Sequence, residues 1–207
     1  MSDPRTRLVG IGYDAMIDTW ESWKERITED PRRAWCEELA GRLAADARVL
    51  ELGCGGGTEE TKDLATRFKL TGIDISAAQL ERARERVPAG EFLLGDFTEL
   101  DFKRDSFEGV AAFYSFNHVP RDLLGGLFER IHAWLVPDGC FLTALGASDL
   151  EGWTGEWLGT QMFFSGWPRE TNLRLLAKAG FELERDELVT IGEPEGDATF
   201  HWILARA

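Results

Sequence analysis

Three carboxylates punctuate the first half of the chain, each closing a short apolar run: Glu51 within Val49-Leu50-Glu51-Leu52, Asp74 after Gly72-Ile73, and Asp96 after Phe92-Leu93-Leu94-Gly95. Glu51 leads into Gly53-Cys54-Gly55-Gly56-Gly57-Thr58, a loop nearly stripped of side chains. Glycines at 53 and 55 let a ligand approach the backbone and permit positive φ where the turn needs it. The amphipathic stretch 59–68 follows, so unpaired N–H groups of a helix start stand beside the loop. Glu59 and Glu60 already place two negative charges there, which suits a ligand carrying positive charge better than a phosphate. His118 follows the apolar run 107–116, where a neutral imidazole could take a proton from an attacking hydroxyl, amine or thiol. A helix cap or a contact with a bound ligand would explain it equally. His132 and His201 fall inside a predicted helix and strand and read as structural.

The dinucleotide fingerprint Gly-x-Gly-x-x-Gly fails in both registers, because its third glycine falls on Thr58 or Glu60. A nicotinamide-dependent oxidoreductase is therefore disfavoured. The chain has 207 residues, 43% hydrophobic and 29% charged, as expected for one globular domain with a proper core. Its net charge of −14 argues against a nucleic-acid partner, since such binding relies on neutralising phosphates. Arg82, Arg84 and Arg86 alternate with Glu81 and Glu85 and read as a solvated helix face. Cys36, Cys54 and Cys140 form neither a metal pattern nor a disulfide framework, so a cytoplasmic location and no metal site are expected. Residues 1–7 are polar with no secretion signal, and no stretch reaches the length of a membrane span.

The elements that position these groups follow from periodicity. Met16, Ile17, Trp20, Trp23 and Ile27 sit at helical spacing, and Asp30-Pro31 opens a second helix carrying Trp35 and Leu39. Strands are predicted at 70–75, 92–94, 107–116 and 140–145, besides the one leading into the glycine loop. Helices are predicted at 77–87, capped by Ser76, and at 121–136. This β-α-β alternation implies a parallel sheet wrapped in helices, whose ligands bind at the carboxyl ends of strands. Glu51, Asp74, Asp96 and the segment 113–118 all fall there.

Glu51-Leu52-Gly53-Cys54-Gly55, then Ile73-Asp74-Ile75-Ser76, then Gly95-Asp96-Phe97 resemble the class I S-adenosylmethionine-dependent methyltransferases, specifically the small-molecule, quinone-biosynthesis-like branch (methyltransferase types 11 and 25). The resemblance spans about residues 10–206 and is most specific over 47–146. It implies a Rossmann-like three-layer α/β/α sandwich with a seven-stranded, mostly parallel sheet and an antiparallel last strand. It assigns Asp74 to the ribose hydroxyls, Asp96 with the N–H of Phe97 to the adenine, and Ile75 to the adenine face. Glu51, Gly53 and the Phe113-Tyr114 backbone would hold the methionine portion, and Tyr13, Cys54, Gly55 and Ser76 complete the implied cofactor set. Tyr13-Asp14 resembles the opening of the family's N-terminal helix, although Trp20 stands where a tyrosine is usual and Glu108 replaces a common aspartate.

The family's closing helix and strand pair correspond to 169–179, 181–191 and 199–205, with the last two joined by a turn at 193–197. Between strand five and that helix, 148–168 carries Trp153, Trp157, Met162, Phe163, Phe164 and Trp167, either as an apolar acceptor lid closing against Trp20 and Trp23 or as ordinary core under a long connection. The expected plan is one domain: a helical cap at 1–46, a cofactor core at 47–147, the lid segment at 148–168, and the closing elements at 169–207. The expected activity is transfer of a methyl group from S-adenosylmethionine to a small apolar or aromatic molecule, leaving S-adenosylhomocysteine, with His118 as candidate base. The expected state is a monomer or homodimer with no nucleic-acid or membrane partner. The alternative is a non-catalytic binder of the same cofactor or its product, acting as a sensor or accessory subunit.

Overall fold

Alternation of side chains along each strand decides how this sheet is dressed. In β1 (Arg48–Leu52), Val49 points to one face while Leu50 and Leu52 point to the other. In β4 (Phe107–Phe113), Val110 and Ala112 share the face of Leu50, and Ala111 and Phe113 take the opposite one. Both faces are thus apolar and both must be covered. The computed structural model describes residues 3–207; residues 1 and 2 of the predicted cap lie outside the described residues.

The remaining sheet strands are β2 (Lys69–Asp74), β3 (Glu91–Leu94), β5 (Leu135–Gly146), β8 (Glu182–Glu193) and β9 (Gly196–Arg206). The seven run in the order β3-β2-β1-β4-β5-β9-β8. Six point the same way and the last strand, β9, is antiparallel to its neighbours β5 and β8. One face is covered by α6 (Arg121–Trp134), through Leu127, Phe128 and Ile131, and by α7 (Arg169–Ala179), through Leu176. The other carries α3 (Arg32–Ala40), α4 (Glu59–Arg67) and α5 (Ala77–Arg86), which bury Trp35, Leu39, Leu64, Leu80 and Ala83. The result is the expected three-layer sandwich.

Local signals set the element boundaries. Thr58 caps α4 by accepting from the Thr61 N–H at 3.2 Å, while the Thr61 hydroxyl accepts from the Thr58 N–H at 3.1 Å. Ser76 caps α5 by accepting from the Gln79 N–H at 3.1 Å. The helical spacing of Met16, Ile17, Trp20 and Trp23 corresponds to α2 (Ile17–Lys24); a further, unforeseen helix, α1 (Pro4–Ala15), precedes it and breaks at Met16, which buries its side chain. Helix α3 starts at Arg32 rather than Pro31, and Asp30 still accepts its first N–H, at 2.9 Å.

The segment 148–168 is not a loop. It forms a separate antiparallel hairpin of β6 (Leu150–Trp157) and β7 (Thr160–Gly166), turned by Leu158 and Gly159 at φ 51° and 82°. Helix α1 lies so close on β7 that a Cβ at Gly12 would stand 2.3 Å from Met162 Sδ.

Candidate functional site

A cavity of about 330 Å³ opens at the carboxyl ends of β1, β2 and β4, lined there by Gly53, Asp74 and Phe113 and on its outer side by Tyr13, Trp20 and Trp157. Its floor depends on Gly53. That residue sits at φ 73°, and a Cβ there would lie 2.3 Å from Ser115 Cβ, so only glycine lets the loop pass beneath the end of β4. The Ser115 hydroxyl ties the two together by donating to the Leu52 carbonyl at 2.8 Å.

Asp74 is held by both oxygens: Oδ2 accepts from the Gly55 N–H at 2.8 Å, and Oδ1 from the Ser76 N–H at 2.9 Å. Burial outweighs these N–H groups and lifts its pKa to about 6. A carboxylate has about four acceptor positions, so two backbone bonds leave capacity on the cavity side. Asp96 accepts from the Thr98 N–H and hydroxyl at 2.9 and 2.6 Å, and from the Thr6 hydroxyl of α1 at 2.5 Å. The N-terminal cap is therefore hydrogen-bonded directly to the strand-end acid Asp96.

Glu51 lies behind the glycine loop, with Oε1 accepting from the Thr61 hydroxyl at 3.1 Å and Oε2 buried without a hydrogen-bond partner. Burial pushes its pKa up to about 7, opposed by the Arg32 guanidinium and the Thr61 hydroxyl. Arg32 lines the cavity, stacked 4.9 Å from the centre of the Tyr114 ring and 3.4 Å from Asp30 Oδ2, and its Nε is buried with no hydrogen-bond partner. Desolvation opposes its charge, but Asp30 holds the guanidinium charged. Tyr114 donates its hydroxyl to Asp30 at 2.8 Å and sits at φ 61°, a strained left-handed conformation for a side chain of this size. A cation on the cavity wall and a buried anion behind the glycine loop thus interact electrostatically, each with an unused polar atom.

His118 is buried with both ring nitrogens engaged. Nδ1 lies 2.8 Å from the Phe163 carbonyl, which can only accept, so Nδ1 carries the proton. Burial lowers the pKa to about 4, so the ring is neutral, and Nε2 accepts from the Tyr13 hydroxyl at 3.0 Å. Tyr13 in turn meets Trp20 edge-on at 5.5 Å. Trp20 stacks on Trp23 at 5.1 Å, and Trp157 of the hairpin closes on both, at 5.8 and 5.2 Å. The Trp23 indole N–H donates to Glu195 at 2.7 Å, tying α2 to the tip of the β8–β9 turn.

The structure brings most of the expected residues together. Tyr13, Trp20, Gly53, Cys54, Gly55, Asp74 and Ile75 line the cavity, as do Asp96, Phe97, Phe113, Tyr114, His118 and Trp157. Ser76 is fully buried as a helix cap that donates its hydroxyl to Asp14 at 2.6 Å. Three expected acceptor residues do not line the cavity; on β7, alternation turns Phe163 to the face opposite Phe164. Met162 and Phe163 pack into a cluster with Val9 and Met16 beneath α1, and Trp153 is 41% exposed. Phe164 lines the cavity in their place, its ring 4.5 Å from His118. Thr6, Arg32, Gln79, Asn117 and Glu193 also line it and were not foreseen. Asn117 alone carried a signal, lying within the segment 113–118. Among the described residues, no group of three or more His, Cys, Asp or Glu side chains is placed to hold a metal ion.

Residues 49–139 match the family described as a methyltransferase domain. Trans-aconitate 2-methyltransferase of Paracidovorax citrulli is 46% identical over 128 residues, covering 58% of this chain and 47% of that protein. The 27-O-demethylrifamycin SV methyltransferase of Amycolatopsis mediterranei is 32% identical over 141 residues, covering 58% and 52%. The chain thus spans about half the length of these relatives. Among solved structures, the 1,6-didemethyltoxoflavin-N1-methyltransferase of Burkholderia thailandensis, crystallised with its acceptor and S-adenosylhomocysteine, superposes with a TM-score of 0.75. It is 22% identical and the match covers 100% of this chain and 91% of that one. A methyltransferase from Methanosarcina mazei gives 0.72 at 16% identity, covering 82% and 96%. At such identities the likeness is one of fold. Residues 49–139 thus match a methyltransferase domain, and they sit in a sheet that has the fold of S-adenosylmethionine-dependent methyltransferases of known structure.

Proposed function

We propose that this protein transfers the methyl group of S-adenosylmethionine to a small apolar or aromatic molecule by in-line displacement, in the reducing cytoplasm suited to its three buried free thiols. The observation that carries the reading is a single cavity joining the glycine loop to an aromatic enclosure. Its residues fit the cofactor. The partnerless Nε of Arg32 matches an amino-acid carboxylate, and the partnerless Oε2 of Glu51 behind the loop matches an ammonium group. Asp74 would accept from the ribose hydroxyls, and Asp96 with the Phe97 N–H would take the adenine. When bound, the cofactor supplies a methyl carbon on a positively charged sulfur, open to displacement by a nucleophile. The acidic groups Glu51, Asp74 and Asp96 favour that positive charge. The named acceptors of the relatives, trans-aconitate and 27-O-demethylrifamycin SV, are small molecules, which supports an acceptor of that class here.

For the chain's own part, alignment and exclusion of water are the main requirements. Trp20, Trp23 and Trp157 close over the outer end of the cavity. His118, expected as the base, has no free ring nitrogen and a lowered pKa, so we assign it the positioning of the Tyr13 hydroxyl. Turnover is tested by following S-adenosylhomocysteine release with a panel of small aromatic acceptors. With an acceptor that turns over, Trp157→Ala is expected to raise acceptor KM by roughly tenfold through loss of aromatic contact, while S-adenosylhomocysteine affinity stays within about threefold. Equal loss of both would make the hairpin a structural element. Tight cofactor binding with no turnover on any acceptor would favour the sensor reading.

A further inference from the structure

One charged group in the cavity is unused by this account. Glu193 ends β8, on the same strand face as Ile191, and both line the cavity beside Ala198 and Phe200 of β9. Its carboxylate is half-buried, and among the described residues no hydrogen bond or ion pair engages its side chain. The two cations that share the cavity are spoken for elsewhere: Lys24 pairs with Glu21 at 2.7 Å, and Arg32 with Asp30. Glu193 is close enough to Tyr13 to raise that hydroxyl's pKa, which puts it on the Tyr13 side of the enclosure. Burial and the neighbouring Glu195 raise its own pKa, the mark of a carboxylate lacking a counter-charge.

The rings around it have a matching property. Tyr13, Trp20, Trp23 and Trp157 meet one another between 5.1 and 5.8 Å, and all four line the same cavity. Aromatic faces attract cations, and indole does so best. Hydrogen bonds hold this wall in place, from Trp23 to Glu195 and from Tyr13 to His118. Aromatic faces beside an unpaired carboxylate form a receptor for an organic cation, and they disfavour an anionic ligand.

Resting on the methyltransferase reading, we propose that the acceptor is a small amine that binds as its ammonium form, with Glu193 as counter-ion and the Trp20, Trp23 and Trp157 rings as its cage. In the transfer the ammonium first loses one proton, which leaves to solvent. The freed nitrogen lone pair then forms the N–C bond as the C–S bond breaks, and the pair from that bond stays on sulfur as a neutral thioether. The methylated product carries the single positive charge formerly on the sulfonium.

The test uses three probes of similar size, followed by tryptophan fluorescence with and without saturating S-adenosylhomocysteine: benzyltrimethylammonium, benzyl alcohol and 3-phenylpropionate. The cation is expected to bind at least about tenfold more tightly than either other probe. In Glu193→Gln that preference falls to within about threefold, with S-adenosylhomocysteine affinity unchanged. Glu193→Asp, which keeps the charge, restores part of it. Tighter binding of 3-phenylpropionate, a cation preference untouched by Glu193→Gln, or no measurable binding of the cation at millimolar concentration each overturns the proposal. A separate failure of S-adenosylhomocysteine to bind would strike the methyltransferase reading itself, and the probe preference would still be read from the titration without it.

Discussion

Asp74→Asn is expected to weaken S-adenosylhomocysteine binding by roughly 100-fold, corresponding to the loss of one or two hydrogen bonds to a charged acceptor. The argument rests on how fully Asp74 is committed. One oxygen takes the Gly55 N–H at 2.8 Å and the other takes the Ser76 N–H at 2.9 Å, leaving only the cavity-facing lone pairs for a ligand diol. An amide keeps the shape but offers one acceptor oxygen, and its NH₂ must then face either a backbone N–H or the ligand. Both choices cost a bond, and the first also loosens the glycine loop. Calorimetry gives the affinity, and a thermal melt of the free protein separates a local defect from unfolding. Affinity within about threefold of wild type in a folded Asp74→Asn protein would remove Asp74 from the site.

The second large effect concerns Glu51 and pH. Burial lifts this carboxyl to about 7, so it is only partly ionised near neutrality. A ligand ammonium requires the ionised form, and for an acid with a raised pKa that form is gained as pH rises. S-Adenosylhomocysteine affinity should therefore climb about tenfold between pH 6 and pH 8, then level off. Asp74, lifted to about 6, steepens the acid side of the curve. Glu51→Gln should bind roughly tenfold more weakly at pH 8 and lose the step near pH 7, leaving only that near pH 6. The same step persisting in Glu51→Gln would mean that another group titrates there.

The sequence made the sheet legible because its strands and helices alternate with different periods, and because Gly53, Asp74 and Asp96 mark strand ends by residue type alone. The hairpin was harder to read. Its turn, Leu158-Gly159, lacks the Asn-Gly or Asp-Gly pair that marks two-residue hairpins, and its aromatic residues suggested a lid without fixing which of them face inward. Met162 and Phe163 illustrate the difficulty, since a β-strand whose two faces are both covered gives no polar alternation from which to choose a face. Arg32 and Glu193 were missed for another reason. They stand at the start of α3 and the end of β8, and only the folded chain brings them to one cavity. The partnerless Nε of Arg32 is a property of three-dimensional surroundings, invisible in a run reading Asp30-Pro31-Arg32-Arg33. Asp96 was legible as a site acid, but its hydrogen bond to Thr6 was not, because that bond depends on α1 lying across the strand ends.

The central claim is that this cavity holds S-adenosylmethionine, and calorimetric titration of the intact protein with S-adenosylmethionine, S-adenosylhomocysteine and NAD tests it most directly. The account predicts saturable one-to-one binding of the first two, tighter at pH 8 than at pH 6, and no heat from NAD. Binding of NAD alone, or of none of the three, would contradict it.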